Sequence, residues 1–164
     1  MEDTPNGAMF SPLAVYRYKL WRIWDKSKPM IMFICLNPST ADAVKNDPTI
    51  TRCQVRAKLL GYGGMYFANI FAYKSTQIDG LLHSDDPIGN PENDKAILEM
   101  ARNSNAVVCG WGNYGSYLNR SGDLVDTLSL AGIKLWCLGI NRTGEPVHPL
   151  YVAYYTPIIP YERS

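Results

Sequence analysis

Three polar residues stand where apolar runs end or break: Asn37 after MIMFICL, Asn69 inside FANIFAY, and His148 in the proline-flanked string EPVHPLY. An asparagine amide donates and accepts at once, so Asn37 can hold a water or read the edge of a heterocycle, with Pro38 stiffening the turn behind it. It can equally close an Asx turn. Asn69 lies in an apolar and aromatic run, where a buried amide without partners costs roughly 1–3 kcal/mol. It must either tie loops together or read a ligand. His148 is one of 2 histidines. The prolines around it restrict the backbone, which suits an imidazole held to donate to or protonate an acceptor near neutral pH. The alternative is a turn histidine facing water, which is also the reading for His83 in LLHSDDP.

The stretch after Asn37 carries Ser39, Thr40, Asp42, Asn46, Asp47 and Thr49. A carboxylate close to Asn37 can act as general base for water, and Asp42 is the candidate. Asp42 and Asp47 could instead bind a metal or a sugar hydroxyl, or Asp47 could cap a helix while Asp42 ends a turn. Asn93 and Asp94 fit the first turn of a helix, where the dipole favours carboxylates. The glycines of GWGNYGSY, Gly110 to Tyr117, allow close backbone approach, but the string matches neither the phosphate-loop nor the dinucleotide fingerprint. The 4 cysteines, Cys35, Cys53, Cys109 and Cys137, form no CxxC pair and no Cys-His metal spacing. They read as small core hydrophobes, and neither a metal nor a cofactor is called for.

A chain of 164 residues with 46% hydrophobic content has room for a single domain (residues 1–164) with a real core. Leu13 to Trp24 alternates like an exposed outer strand, within an N-terminal extension over residues 1–29. Its cations Arg17, Lys19 and Arg22, with Lys26 and Lys28 beyond, read as the solvated face of that edge strand. Met30 to Leu36 is continuously apolar, as expected of a strand buried on both faces of a parallel sheet. Asp47-Pro48 offers an N-cap and first-turn proline for a helix ending near Leu60, with Gly61 as stop. Strand and helix then alternate: MYFANIFAY, PENDKAILEMARNS, AVVCGW, a helix around Leu124 to Ala131, and KLWCLGI. This order argues for an α/β fold with a central parallel sheet. Such sheets place ligands at the carboxyl ends of their strands, where Asn37, Asn69 and His148 fall.

A net charge of +1 offers no global field for a polyanion. No run reaches the roughly 18 apolar residues of a membrane span, and the N-terminus has no secretory pattern, so the expectation is a cytoplasmic protein without a membrane partner.

Taken in order, Asn37-Pro38 in CLNP, Asn69 in FANIFAY, Trp111-Gly112 in VVCGWGNYG and His148-Pro149-Leu150 in VHPLY resemble the motifs of the uracil-DNA glycosylase superfamily. The resemblance spans roughly Met30 to Tyr151. More closely, LNPSTAD, NDPT, GYGG, ANIFAY, PIGNPEND, WGNYG and GEPVHPLY are similar to the bacterial and phage family called domain of unknown function 1643.

The superfamily resemblance implies a three-layer α/β/α sandwich with a pocket for an extruded nucleobase. Asn37 would orient a water at the sugar C1′, and Asn69 would hydrogen-bond the base edge. His148 would stabilise the leaving base, with Leu150 as an apolar wedge into the base stack. Pro38, Ser39, Trp111 and Gly112 would line the substrate site beside them. Superfamily members stack an aromatic on the base from the segment after the first motif, yet no Phe, Tyr or Trp occurs between Asn37 and Tyr62, which leaves Tyr62 as candidate. The implied function is hydrolysis of an N-glycosidic bond in DNA or a modified nucleotide. The low charge favours a free nucleotide or single-stranded substrate. The alternative is a non-catalytic module that binds a nucleobase, nucleotide or partner on the same fold.

Overall fold

The computed structural model describes residues 4–163. Its strands are β1 (Asn6–Phe10), β2 (Arg17–Ile23), β3 (Met30–Cys35), β4 (Gly64–Asn69), β5 (Ala106–Cys109), β6 (Leu135–Cys137) and β7 (Ile159–Pro160). The helices are α1 (Pro48–Leu59), α2 (Ile78–His83), α3 (Glu92–Arg102) and α4 (Arg120–Leu130), with 3-10 segments at Asn113–Asn119 and Pro149–Tyr151. All strands join one 7-stranded sheet in the order β1-β2-β4-β3-β5-β6-β7. The fold is α/β.

The continuous apolar run becomes β3 at the middle of the sheet, parallel to both β4 and β5. Strand β6 extends the parallel block beside β5. The sheet as a whole is mixed, because β2 pairs antiparallel with β4, β1 with β2, and β7 with β6. Among the parallel strands the first in sequence, β3, lies between the second and the third. Chain direction therefore switches at β3, and open α/β sheets bind ligands at the carboxyl end of such a switch.

Alternate residues of the central strands feed two cores. Met32, Ile34, Tyr66, Ala68, Val107 and Cys109 pack with α2, α3 and α4. Ile31, Phe33, Cys35, Met65, Phe67 and Val108 pack with Ile50, Cys53 and Ala57 of α1. Asp47 caps α1 as its sequence suggests, Oδ1 accepting from Ile50 N at 2.9 Å, with Pro48 in the first turn. All 4 cysteines are buried and free.

The basic stretch departs from expectation. The outer position belongs to β1, so β2 is an inner strand, and Arg17, Lys19 and Arg22 are buried, at 2%, 6% and 2% exposure. The reason lies in pairing and in partners. The register shifts between Met9 and Phe10, so that Met9 faces Lys19 while Phe10 faces Arg17. Tyr18 is thus an extra residue, and this bulge turns Arg17 onto the face that holds Leu20 and Arg22. Lys19 Nζ meets Glu99 Oε1 of α3 at 2.6 Å. Arg22 donates to the carbonyls of Asp42 at 2.7 Å, Ala43 at 3.2 Å and Lys45 at 3.2 Å, and to Asn46 Oδ1 at 3.0 Å.

Arg56 does the same for the C-terminal segment, donating to the carbonyls of Val152 at 2.9 Å, Ala153 at 3.1 Å, and Tyr154 and Thr156 at 3.3 Å. Irregular backbone has no ladder to satisfy its carbonyls, and the guanidinium fork supplies that donor set. Two loops flanking the strand ends are thereby held in shape. Among the described residues, no helix is long and apolar enough to cross a membrane.

Candidate functional site

A cavity of about 170 Å³ opens at the carboxyl ends of β3 and β4, beside the first turn of α1. Asn37, Ser39, Asn69, His148 and Leu150 line it, together with Arg17, Asp47 and Phe67. Its size lies below the roughly 300–1,000 Å³ of pockets for drug-sized ligands, which suits a single ring or a small polar group. A larger concavity, about 740 Å³, is an open groove between α4 and the β6–β7 edge. None of Asn37, Asn69 and His148 lines it, and the candidate site is therefore the smaller cavity.

Asn37, Asn69 and His148 each have one end committed to the protein. Asn37 Nδ2 donates to Ser75 O at 2.9 Å and to Pro38 O at 3.3 Å, so its Oδ1 is the end left for a ligand. Asn69 shows the reverse polarity. Its Oδ1 accepts from Arg17 Nη2 at 3.1 Å, and its Nδ2 has no partner among the described residues. The two amides therefore offer one acceptor and one donor. The backbone under Asn69 is pinned as well, its carbonyl accepting from Asn93 Nδ2 at 2.9 Å.

His148 sits at the start of the 3-10 turn, and its Nδ1 accepts from Leu150 N at 3.2 Å. That bond requires an unprotonated Nδ1 and places the proton of the neutral ring on Nε2. Burial lowers the His148 pKa below its ordinary value, opposed only in part by the negative charge of Asp47. Near neutral pH the residue is an uncharged Nε2–H donor.

Arg17 and Asp47 supply opposite charges. Burial pulls the Arg17 pKa down to about 10, with Asp47 pulling the other way, so Arg17 remains a cation at neutral pH. Besides Asn69 it donates to Ala41 O at 3.1 Å, and its guanidinium lies 5.7 Å from the Phe67 ring centre. Burial pushes the Cys35 thiol well above the ordinary range, and this excludes it as a thiolate nucleophile. No group of three or more His, Cys, Asp or Glu side chains that could hold a metal ion occurs among the described residues.

Not every expected site residue lines the cavity. Asp42 forms an Asx turn, its Oδ1 accepting from Val44 N at 2.9 Å and Lys45 N at 2.7 Å, and the carboxylate that lines the cavity is Asp47. Trp111 is 1% exposed and donates from Nε1 to Glu145 Oε2 at 2.6 Å, which makes it core. Pro38 is buried behind Asn37, and its carbonyl accepts from Ser75 N at 2.9 Å. Gly112 has a φ of +74°, and its N–H donates to Pro146 O at 2.9 Å, so it shapes the His148 loop from behind. Leu150 is a half-buried wall of the cavity, and the exposed group beside it is Tyr151, at 84%. Tyr62 precedes β4, at the end of the strand opposite Asn69, and the aromatic lining the cavity is Phe67.

Comparison with known proteins adds one match: the family model described as a protein of unknown function, DUF1643, covers residues 17–150. The chain belongs to the DUF1643 family. No curated protein and no solved structure matches it. The DUF1643 span begins at Arg17 and ends at Leu150, both of which line the cavity. The family unit thus contains every residue of the candidate site.

Within this DUF1643 unit, sequence reasoning missed Arg17 and Phe67 as site residues. Asp47 reads either as a helix cap or as a ligand-binding carboxylate, and it both caps α1 and lines the cavity. Phe67 lies two places before Asn69 on the same strand face, a relation that period-2 alternation contains. Arg17 had no such signal, because its face depends on the bulge in β2.

Proposed function

We propose that the cavity takes a nucleobase and that the protein hydrolyses an N-glycosidic bond in DNA or in a modified nucleotide. The fold reading that goes with it is a three-layer α/β/α sandwich of the uracil-DNA glycosylase kind. The observation that carries the proposal is the convergence of Asn37, Asn69 and His148 on one small cavity with complementary free ends.

In this reading Asn37 Oδ1 accepts a hydrogen bond from a water aimed at C1′, and the Asp47 carboxylate takes the water proton in the place first considered for Asp42. The water oxygen bonds to C1′ as the C–N bond breaks, and its electron pair leaves with the base. Neutral His148 donates from Nε2 to the charge developing on that base, and Asn69 donates from Nδ2. A positioned nucleophile and fixed donors aimed at the leaving anion are what such a reaction needs. Arg17 adds a positive charge behind Asn69, and Phe67 supplies an aromatic wall. Tyr151 and Tyr155, at 84% and 90% exposure, offer stacking faces for neighbouring unpaired bases, in keeping with a single-stranded or flipped substrate.

The test is mass spectrometry of bases released from natural, deaminated and modified DNA and nucleotides, with wild type, Asn37→Ala and His148→Ala compared. One base released by the wild type and by neither variant supports the hydrolase. Binding of a substrate with no release from any would instead make the cavity a recognition module.

A further inference from the structure

The donor and acceptor pattern of the cavity is set by the groups that hold its two amides. Asn69 Oδ1 is occupied by Arg17 Nη2 at 3.1 Å, and the Asn37 amide is turned by Ser75 O at 2.9 Å. We infer that Arg17 is a specificity-determining residue: by fixing the Asn69 amide it makes that side chain a donor only, so the ligand must present an acceptor, a ring carbonyl or unprotonated ring nitrogen, and not an amine. This rests on the reading of the cavity as a base site and names the class of ring it takes.

The physical reason is the cost of the alternative. Flipping Asn69 would set its Nδ2 hydrogens against Arg17 Nη2, two buried donors facing each other with neither satisfied. Arg17 cannot turn away, since Nη1 is held by Ala41 O at 3.1 Å and the residue is 2% exposed. Nor can it lose its proton near neutral pH, so the lock has one state. A free asparagine reads either an amide-like or an amine-bearing edge by rotating, whereas a locked one does not. The lock also prevents Asn69 from contacting an acceptor and an adjacent donor together. A ring carbonyl is therefore read there, but the N–H next to it is not. His148 adds a second fixed donor, Nε2–H, to the same cavity, so the ring is met by two donors.

Two measurements test this without relying on turnover. Neutron diffraction from a deuterated crystal of the full chain distinguishes amide nitrogen from oxygen. Deuterons on the cavity-facing atom of Asn69 are expected, and oxygen there overturns the inference. NMR titration with uracil, 4-pyrimidinone, 2-pyrrolidinone and, as amine rings without a ring carbonyl or ring nitrogen, aniline and benzylamine should show the carbonyl rings bound at least about tenfold tighter than the amine rings. In Arg17→Met that ratio should fall towards one, and in Arg17→Lys, which keeps a donor for Asn69, it should be largely restored. If Arg17→Met does not fold, the wild-type ratio and the neutron map still decide. Pyrrolidinone bound while neither pyrimidine binds leaves the lock intact and removes the base reading. Amine rings bound as tightly as carbonyl rings, or no ring bound at all, overturns the lock.

Discussion

Trp111 Nε1 and Glu145 Oε2 meet at 2.6 Å in the protein interior, joining the end of β5 to the loop that carries His148. Glu145 is 2% exposed, and its other oxygen accepts from Ser121 Oγ at 2.9 Å and Arg163 Nη1 at 2.7 Å. One carboxylate thus gathers a strand end, a helix and the C-terminal segment behind the candidate site. Glu145→Ala leaves the buried indole N–H and the Ser121 O–H without their acceptor, although Ser121 Oγ still accepts from Arg163 Nη1 at 2.8 Å. We expect a loss on the order of 3 kcal/mol, read as a lower urea midpoint at unchanged slope. Glu145→Gln, which keeps an acceptor for Trp111, should lose less.

Asp47 combines a cap with a cavity carboxylate, and two substitutions separate these roles. Asparagine is as good an N-cap as aspartate, so Asp47→Asn should leave the urea midpoint nearly unchanged, whereas Asp47→Ala should cost about 1 kcal/mol. If the carboxylate takes the proton of the attacking water, both variants lose base release by about a hundredfold or more. Full activity in Asp47→Asn would leave Asp47 as a cap only.

The lowered pKa of His148 has a consequence for stability. The unfolded chain takes up the proton near pH 6.5, the folded protein only at lower pH. Between those two values the unfolded state binds more protons, so folding stability rises with pH there and is lost as pH falls. Urea unfolding from pH 5 to 8 should show this slope below about pH 6.5 in the wild type, and a flatter profile in His148→Gln. Equal slopes would mean that His148 titrates freely.

Gly110 sets the distance between β5 and the His148 turn. A Cβ at this position would lie 2.7 Å from Pro149 Cδ, a contact that forces the proline aside. Gly110→Ala should therefore displace His148-Pro149, costing about 1–3 kcal/mol and reducing base release or ring affinity more than the loss of folded protein accounts for. The paired measurement is the urea midpoint with ring titration at a temperature where the variant is fully folded.

Much of the framework was legible in the residues themselves. Met30 to Leu36 is apolar at every position, as in a strand buried on both faces, and Met30–Cys35 became the central β3. Asp47-Pro48 carries its own start signal for α1 because capping is local chemistry. Asn37 follows β3 as that run suggests, whereas Asn69, read inside a longer strand, is the last residue of β4, and His148 lies in the turn beyond β6. The short outer strands β1 and β7 were missed, having little apolar pattern to announce them.

What the sequence could not determine was which side of a strand meets water and which carboxylate meets the cavity. The alternation in β2 separates Arg17 from Tyr18 but does not say that β1 lies outside them, nor that a bulge turns Arg17 inward. Asp42 and Asp47 are equal as residue types. They were distinguished by Arg22, which holds the loop between them by its carbonyls and leaves Asp47 at the cavity. Trp111 gave way to Phe67 in the wall for the same reason. Local propensity acts over a few residues, whereas burial, bulges and long-range hydrogen bonds join segments far apart in the chain, and only the packed tertiary structure brings them together.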